Sequence, residues 1–301
     1  MVLETTTLPL SYSPKADIII IEIEPIVNSL RGSFMNYTHK LGVIGYGNMA
    51  EAIVGGILKS VLNSANEILV YDVSEARIAK AEILGLCIAK SIAEICSCCP
   101  YILLSVKPQV FGEIAEELSV SVRENVVISI MAGVSVEKLS KNLSGARICR
   151  CMPNTPALIG EGITAIDSSM LGEAEKKYVF DIFNSVGKAV EIGDELMNAV
   201  TAVSGSGPAY VYLFIKTMVD AAVRIGLSAG QAKELVIKTL IGASKMAENS
   251  AEPIDTLIDR VCSKGGTTIE GIKVLKEKGL PDIIGECVRA AYNRAEELSR
   301  L

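Results

Sequence analysis

Aromatic residues make up only 5% of the 301 positions, and tryptophan is absent. Stacking platforms of the kind that hold single-stranded nucleic acid are therefore not expected. Basic residues are not in excess: 29 Lys and Arg stand against 35 Asp and Glu, a formal net charge of −6. A surface that neutralises a phosphate backbone needs the opposite balance, so no nucleic-acid partner is expected. The single histidine, His39, precedes the first strand, which leaves no histidine to act as a catalytic acid or base. The eight cysteines (Cys87, Cys96, Cys98, Cys99, Cys149, Cys151, Cys262 and Cys287) lack zinc-ribbon spacing. In a chain this long they read as reduced thiols of a cytoplasmic protein, with no metal and no disulfide framework. Long apolar runs are missing too. IIIIEI at 18–23 falls far short of a membrane span and no basic segment precedes it, so no membrane partner is expected.

Apolar residues as a class are abundant. They fill 50% of the sequence, and the mean hydropathy is +0.39. The length suffices for two domains with cores of their own. Hydropathy this high points to surface hidden between subunits. Residues 1–34 differ in texture from the rest and read as an N-terminal extension, with Met35 as an alternative start. The expected division is then one domain over 35–193 and a second over 194–301.

From Lys40 the pattern alternates strand and helix. LGVIG (41–45) is a buried strand and Asn48 to Ser60 a helix with Ala52, Ile53, Ile57 and Leu58 at core spacing. EILVYD (67–72) is the second strand, followed by a helix over 74–85 that closes at Gly85. LCIA, YILLSV (101–106), NVVISI (125–130) and RICRCM (147–152) supply four more strands. Such alternation predicts an α/β fold, a parallel sheet with helices on both faces. After Gly193 no convincing strand remains. Helices are expected over 194–203, 208–225, 228–249, 253–262, 267–278 and 281–299. The helix over 208–225 is apolar almost all round, apart from Lys216, Asp220 and Arg224 on one narrow stripe. It needs burial on most sides, as in the centre of a homo-oligomer.

GYGNMA (45–50) follows the first strand and opens the first helix, matching G-x-G-x-x-[G/A]. Gly45 permits a tight turn, Gly47 close approach of a pyrophosphate, and Ala50 close packing of helix on strand. With Tyr46, Asn48 and Met49 they form the candidate cofactor turn. Asp72, 22 residues after Ala50, can accept both ribose hydroxyls, which favours NADH, or can cap the helix that follows. Ser74 and Arg77 just beyond it are placed to receive a 2′-phosphate, so NADPH and NADH both stand as cofactors. Ligands of open α/β sheets sit beyond the carboxyl ends of the strands. Ser105, Val106, Lys107 and Pro108, and then Ala132 and Gly133, are therefore cofactor candidates. Asn154 and Thr155 either line the cleft or form a plain turn.

Late in the chain, CSKGGTTIEGIKVL (262–275) sets two glycines and two threonines before a helical run. A helix that begins so presents free N–H groups and the positive end of its dipole beside hydroxyls, which suits an anion. Ser263, Thr267 and Thr268 can equally be plain helix caps.

Six motifs in one order carry a resemblance: GYGNMA, SVKPQ, SIMAGV, RCMPNTPALIGEGITA (150–165), TAVSGSGPAYVYLF (201–214) and SKGGTTIEGIKVL (263–275). Together they closely resemble the Δ1-pyrroline-5-carboxylate reductase family, from about Lys40 to the C-terminus. The resemblance implies a Rossmann domain followed by a helical domain that builds an interlocked dimer, often assembled into rings. It implies reduction of 1-pyrroline-5-carboxylate to L-proline by NAD(P)H. On that basis the substrate loop is Ser263, Gly265, Gly266, Thr267 and Thr268, completing the site from the partner subunit and clamping the substrate carboxylate. Thr268 is the catalytic candidate, hydrogen-bonded to the ring nitrogen. Family members commonly carry proline where this chain has Lys264.

Two other functions fit parts of the pattern. A 3-hydroxyacid dehydrogenase would need a lysine shortly after the glycines of the long helix, but Lys216 lies nine residues beyond Gly207. A nucleotide sensor without turnover would have no use for the late glycine–threonine loop.

Overall fold

The computed structural model describes residues 37–300; the expected extension over 1–34 and the alternative start at Met35 lie outside them. Residues His39–Leu301 form one compact unit. In that unit the strands are β1 (Leu41–Ile44), β2 (Ile68–Tyr71), β3 (Cys87–Ile88), β4 (Tyr101–Leu104), β5 (Val126–Ser129), β6 (Arg147–Met152), β7 (Gly162–Asp167) and β8 (Gly187–Glu191). They form one sheet in the order β3-β2-β1-β4-β5-β6-β7-β8. The helices of this region are α1 (Asn48–Lys59), α2 (Glu75–Ile83), α3 (Ile92–Cys98), α4 (Pro108–Ser121), α5 (Val136–Asn142) and α6 (Glu173–Asn184).

Strands β1, β4 and β5 are buried at every position, which is why their sequences run apolar without alternation. Two apolar layers cover the sheet. One joins α1 and α6 to Leu41, Val43 and Leu103; the other joins α3, α4 and α5 to Ile44, Ile102 and Ile148. Helix α1 buries Ala50, Ile53, Val54, Gly56 and Ile57, one stripe at helical spacing. Buried thiols contribute to both layers, and burial pushes Cys96 up to about 12 and Cys151 well above the usual thiol range.

The sheet differs from expectation in two ways. It is mixed: β6 and β7 pair antiparallel, with Arg150 opposite Asp167 and Met152 opposite Ala165. The unit β7–α6–β8, which extends the sheet by two strands, was not anticipated between 153 and 193. Its last strand forms the half-exposed sheet edge and carries a weak apolar signal.

The expected helix over 194–203 is broken into a 3₁₀ turn (Asp194–Leu196), a short helix α7 (Met197–Val200) and a π turn (Thr201–Gly205). The widening has a local cause. Thr201 Oγ1 donates back to Met197 O at 2.8 Å, and Ser206 N donates to Thr201 O, five residues back, at 2.9 Å. A Cβ on Gly205 would lie 2.7 Å from Met152 Cε, so the π turn rests on the end of β6. Five helices follow: α8 (Gly207–Arg224), α9 (Ala229–Glu248), α10 (Ile254–Val261), α11 (Thr267–Glu277) and α12 (Leu280–Arg300). No helix among the described residues is long and apolar enough to cross a membrane.

A buried charge pair sits where the sheet gives way to helices. Arg150, its side chain 4% exposed, reaches Asp194 Oδ1 at 2.6 Å. Asp194 Oδ2 accepts from Val136 N at 3.3 Å, and Asp194 N donates to Asp167 Oδ2 at 2.6 Å. Strands β6 and β7, the start of α5 and the first helical turn after the sheet thus share one network.

Candidate cofactor cleft and substrate loop

Strands β1 and β4 are sheet neighbours although β2 and β3 intervene in sequence, so the strand order reverses between them. In open α/β sheets a crevice forms beyond the carboxyl ends at such a point. The chain leaves β1 there through Gly45, at φ +86, where a Cβ would lie 2.8 Å from Ser105 O. Only glycine combines that backbone with that approach. Around Gly47 the opposite holds: nothing lies within 4 Å of a Cβ built on it. Gly47 is also the N-cap of α1, and no side chain caps the helix. Its first N–H groups therefore open onto clear space, at the positive end of the helix dipole.

A cavity of about 350 Å³ continues from this point. Its lining brings together eight of the expected cofactor residues: Gly47, Asn48, Met49, Ser105, Val106, Lys107, Pro108 and Ala132. Lys107 is the one charged residue in that lining, held as the N-cap of α4 with Pro108 behind it. Three lining residues were missed in the sequence: Ile130, Met131 and Pro153. All follow the ends of β5 and β6, and the strand-end rule that found Ser105 and Ala132 would have found them too.

The other expected cofactor residues lie elsewhere. Tyr46 and Ala50 are fully buried and turn their side chains into the sheet core, leaving only backbone toward the turn. Burial, and then the Glu51 charge, push the Tyr46 phenol up to about 12, so it stays neutral. Asp72 Oδ2 accepts from Tyr46 N at 2.6 Å, so the carboxylate ties the turn to the end of β2. Gly133, at φ +73, packs beneath α12, where a Cβ would lie 3.2 Å from Leu298 Cβ. Asn154 is a stitch between β6, β7 and the π turn. Its Oδ1 accepts from Ile163 N at 3.0 Å, and its Nδ2 donates weakly to Ser204 O at 3.4 Å.

The late glycine–threonine loop forms a turn ahead of α11. Gly266 N donates to Ser263 O at 3.0 Å, and Gly265 adopts φ +73. Gly266 is the N-cap of α11 with no side-chain capping bond, and the Ser263 hydroxyl fills the space a Cβ on Gly266 would take. Ser263, Lys264, Gly265 and Thr267 are exposed, and Thr268 is half-buried. None of these residues lines the cofactor cavity of its own chain.

The cradle fits a dinucleotide: a glycine turn with clearance at Gly47, an uncapped helix start and an apolar-walled cavity at the strand ends. Fold and cleft together define a nicotinamide-dinucleotide oxidoreductase. Residues 40–133 match the model of the family described as NADP oxidoreductase coenzyme F420-dependent, and residues 194–298 match the model for pyrroline-5-carboxylate reductase dimerisation. The pyrroline-5-carboxylate reductase of Synechocystis sp. is 38% identical over 263 residues, which span 87% of this chain and 98% of the relative. That of Escherichia coli is 37% identical, with the same coverage. Among solved structures, a Plasmodium falciparum pyrroline carboxylate reductase with NADP bound is 34% identical with a TM-score of 0.78, covering 87% of this chain and 98% of that one. A Coxiella burnetii pyrroline-5-carboxylate reductase is 32% identical with a TM-score of 0.81, covering 87% and 99%. The chain belongs to the pyrroline-5-carboxylate reductase family.

Proposed function

We propose that this protein reduces 1-pyrroline-5-carboxylate to L-proline, the final step of proline biosynthesis, with NADPH or NADH. The reading is carried by a dinucleotide cradle and an uncapped, hydroxyl-flanked helix start in one chain of this family. The amides at the start of α1 hold the pyrophosphate, with clearance from Gly47. Ser105, Val106, Lys107, Pro108 and Ala132 hold the nicotinamide half, and Gly133 supports Ala132 from beneath. When bound, the reduced cofactor supplies a hydride to the imine carbon.

The substrate is small and carries a carboxylate beside its ring. The amides at the start of α11 and the hydroxyls of Ser263 and Thr267 bind that carboxylate, with Gly265 allowing close backbone approach. Thr268 orients the ring nitrogen through its hydroxyl. A threonine is too weak an acid to protonate an imine, and an iminium substrate needs no protein acid before it receives the hydride. Positioning is then the protein's main contribution.

The division at Gly193–Asp194 separates cofactor binding (35–193) from assembly and substrate capture (194–301). The exposed apolar faces of the helical region support an interlocked homodimer, with the loop of one subunit serving the cleft of its partner, and further assembly into a ring. Such an enzyme works in the cytoplasm, where its cysteines stay reduced. Oxidation of NADPH and NADH should depend on added pyrroline carboxylate and yield proline; cofactor binding without substrate-dependent oxidation would sink the reading.

A further inference from the structure

We infer that Lys264, at the corner of the turn before α11, supplies the charge that draws the substrate's carboxylate to this loop, and so sets KM for an acidic substrate without entering the hydride step. The inference rests on the substrate loop proposed above.

The backbone fixes where the lysine stands. Gly266 N donates to Ser263 O, three residues back, at 3.0 Å. Gly265 takes φ +73, and Lys264 is not among the residues of positive φ. Together these define a type II turn with Lys264 at its first corner and Gly265 at its second. Ser263 closes the inner side, its hydroxyl filling the space of a Cβ on Gly266, whereas nothing lies within 4 Å of a Cβ on Gly265. The outer side of the turn is open, and Lys264 is exposed there.

The surroundings make that one cation matter. Arg260 is committed to Glu252 at 2.6 Å. Between Arg260 and Lys273, Lys264 is the only basic residue, and the acids Asp259 and Glu270 flank the stretch. Among the described residues the Lys264 amine has neither an ion-pair nor a hydrogen-bond partner. Without it, an incoming anion would meet Asp259 and Glu270 on a chain of formal net charge −6. Proline presets the first corner of a type II turn and would hold it at lower entropic cost. A lysine at that corner sacrifices rigidity and adds a charge. Acting from an exposed, flexible stem, the charge is worth no more than a surface ion pair, and salt screens it.

The test combines steady-state kinetics on pyrroline carboxylate with calorimetric titration of L-proline and L-prolinamide into the full chain loaded with oxidised cofactor. Both are run at about 0.02 M and about 0.5 M salt, where screening is weak and strong. Lys264→Gln removes the charge, Lys264→Pro removes it while suiting the turn, and Lys264→Arg keeps it. At low salt the Gln and Pro variants should raise KM and weaken L-proline about two- to fivefold, the scale of one exposed pair. Their kcat and their binding of L-prolinamide, which lacks the carboxylate, should not change. The Arg variant should match the wild type, and at high salt all variants should converge on it. A wild-type KM in Lys264→Gln at low salt would overturn the inference. So would a loss of equal size at both salt concentrations, a loss shared by L-prolinamide, or a loss in Lys264→Gln that Lys264→Pro reverses, which would make rigidity the property that counts. A wild-type chain that does not turn over pyrroline carboxylate removes the proposed reaction, whereas the contrast between L-proline and L-prolinamide still reads the charge.

Discussion

Helix α1, with 12 residues in the sheet region, buries five of them, whereas α8, with 18 residues in the helical region, buries none. The two are about equally rich in apolar side chains. They differ in what one chain can put against them. Helix α1 lies on a sheet and meets α6 and β6 residues of the same chain. Helix α8 leaves Tyr212 and Leu213 each 63% exposed, with Val211 and Phe214 beside them. Fully burying side chains of this size is worth about 1.5–3 kcal/mol each. Successive helical residues point about 100° apart, so these four leave apolar surface exposed round most of the helix, the mark of an interface. The sheet region closes its core within one chain, and the helical region is finished by another copy. On the proposed function, cofactor binding rests on the part that is complete alone, and substrate capture on the part that is not.

The contrast can be broken first on α8. Leu213→Glu should convert the oligomer to monomer in sedimentation and lower kcat/KM by more than about 100-fold, since a buried charge at an interface is strongly unfavourable. Cofactor binding should survive within a few-fold. A wild-type chain that sediments as a monomer would dissolve the comparison. The next largest effect lies at the junction. Arg150→Ala leaves Asp194 without its buried partner and should lower stability by about 3 kcal/mol in denaturant unfolding. The two glycines of the cofactor turn sharpen the picture within the sheet region. Gly45→Val meets Ser105 O and a positive φ, and should lower stability by roughly 2 kcal/mol or more. Gly47→Val meets nothing, and should keep stability within about 0.5 kcal/mol while abolishing nucleotide binding. The smallest effect is a gain. Val61 sits just past α1 at φ 58 and is 83% exposed, a backbone that favours glycine. Val61→Gly should raise stability by about 1 kcal/mol.

The same difference explains what was legible in the sequence. Strands β1 to β5 announce themselves because each is a short apolar run between turn residues, β6 carries Ile148, Cys149 and Cys151 around Arg150, and the glycine turn lies where strand becomes helix. The helices after Gly207 carry plain start signals, Pro208 and Ser228 among them, and the structure places them within a residue or two of expectation. Strand β8 was hidden because GKAVE at the sheet edge needs little apolar content. Strand β7 was hidden because a reversal of strand direction leaves no local trace; it shows only in the pairing of Arg150 with Asp167. The π turn is equally silent, since it arises from Thr201 bonding backward and Gly205 resting on Met152. In the site, residue type was easier to read than direction. Asp72 and Tyr46 stand at the expected positions, but the contact between them, a carboxylate on a backbone amide, is a matter of tertiary geometry.

The central claim is that an anion-binding helix start in one subunit completes a dinucleotide cleft in another, and mixed oligomers test it most directly. Gly47→Val disables the cleft and leaves the loop intact. Thr267→Glu sets a carboxylate where the substrate's must sit and leaves the cleft intact. Each variant alone should be inactive. Co-folded in equal amounts, half of the dimers are mixed and each mixed dimer has one sound cleft facing one sound loop, so roughly a quarter of wild-type activity should return. Mixtures as inactive as their parents would contradict the account and put cleft and loop to work within a single chain, or not together at all.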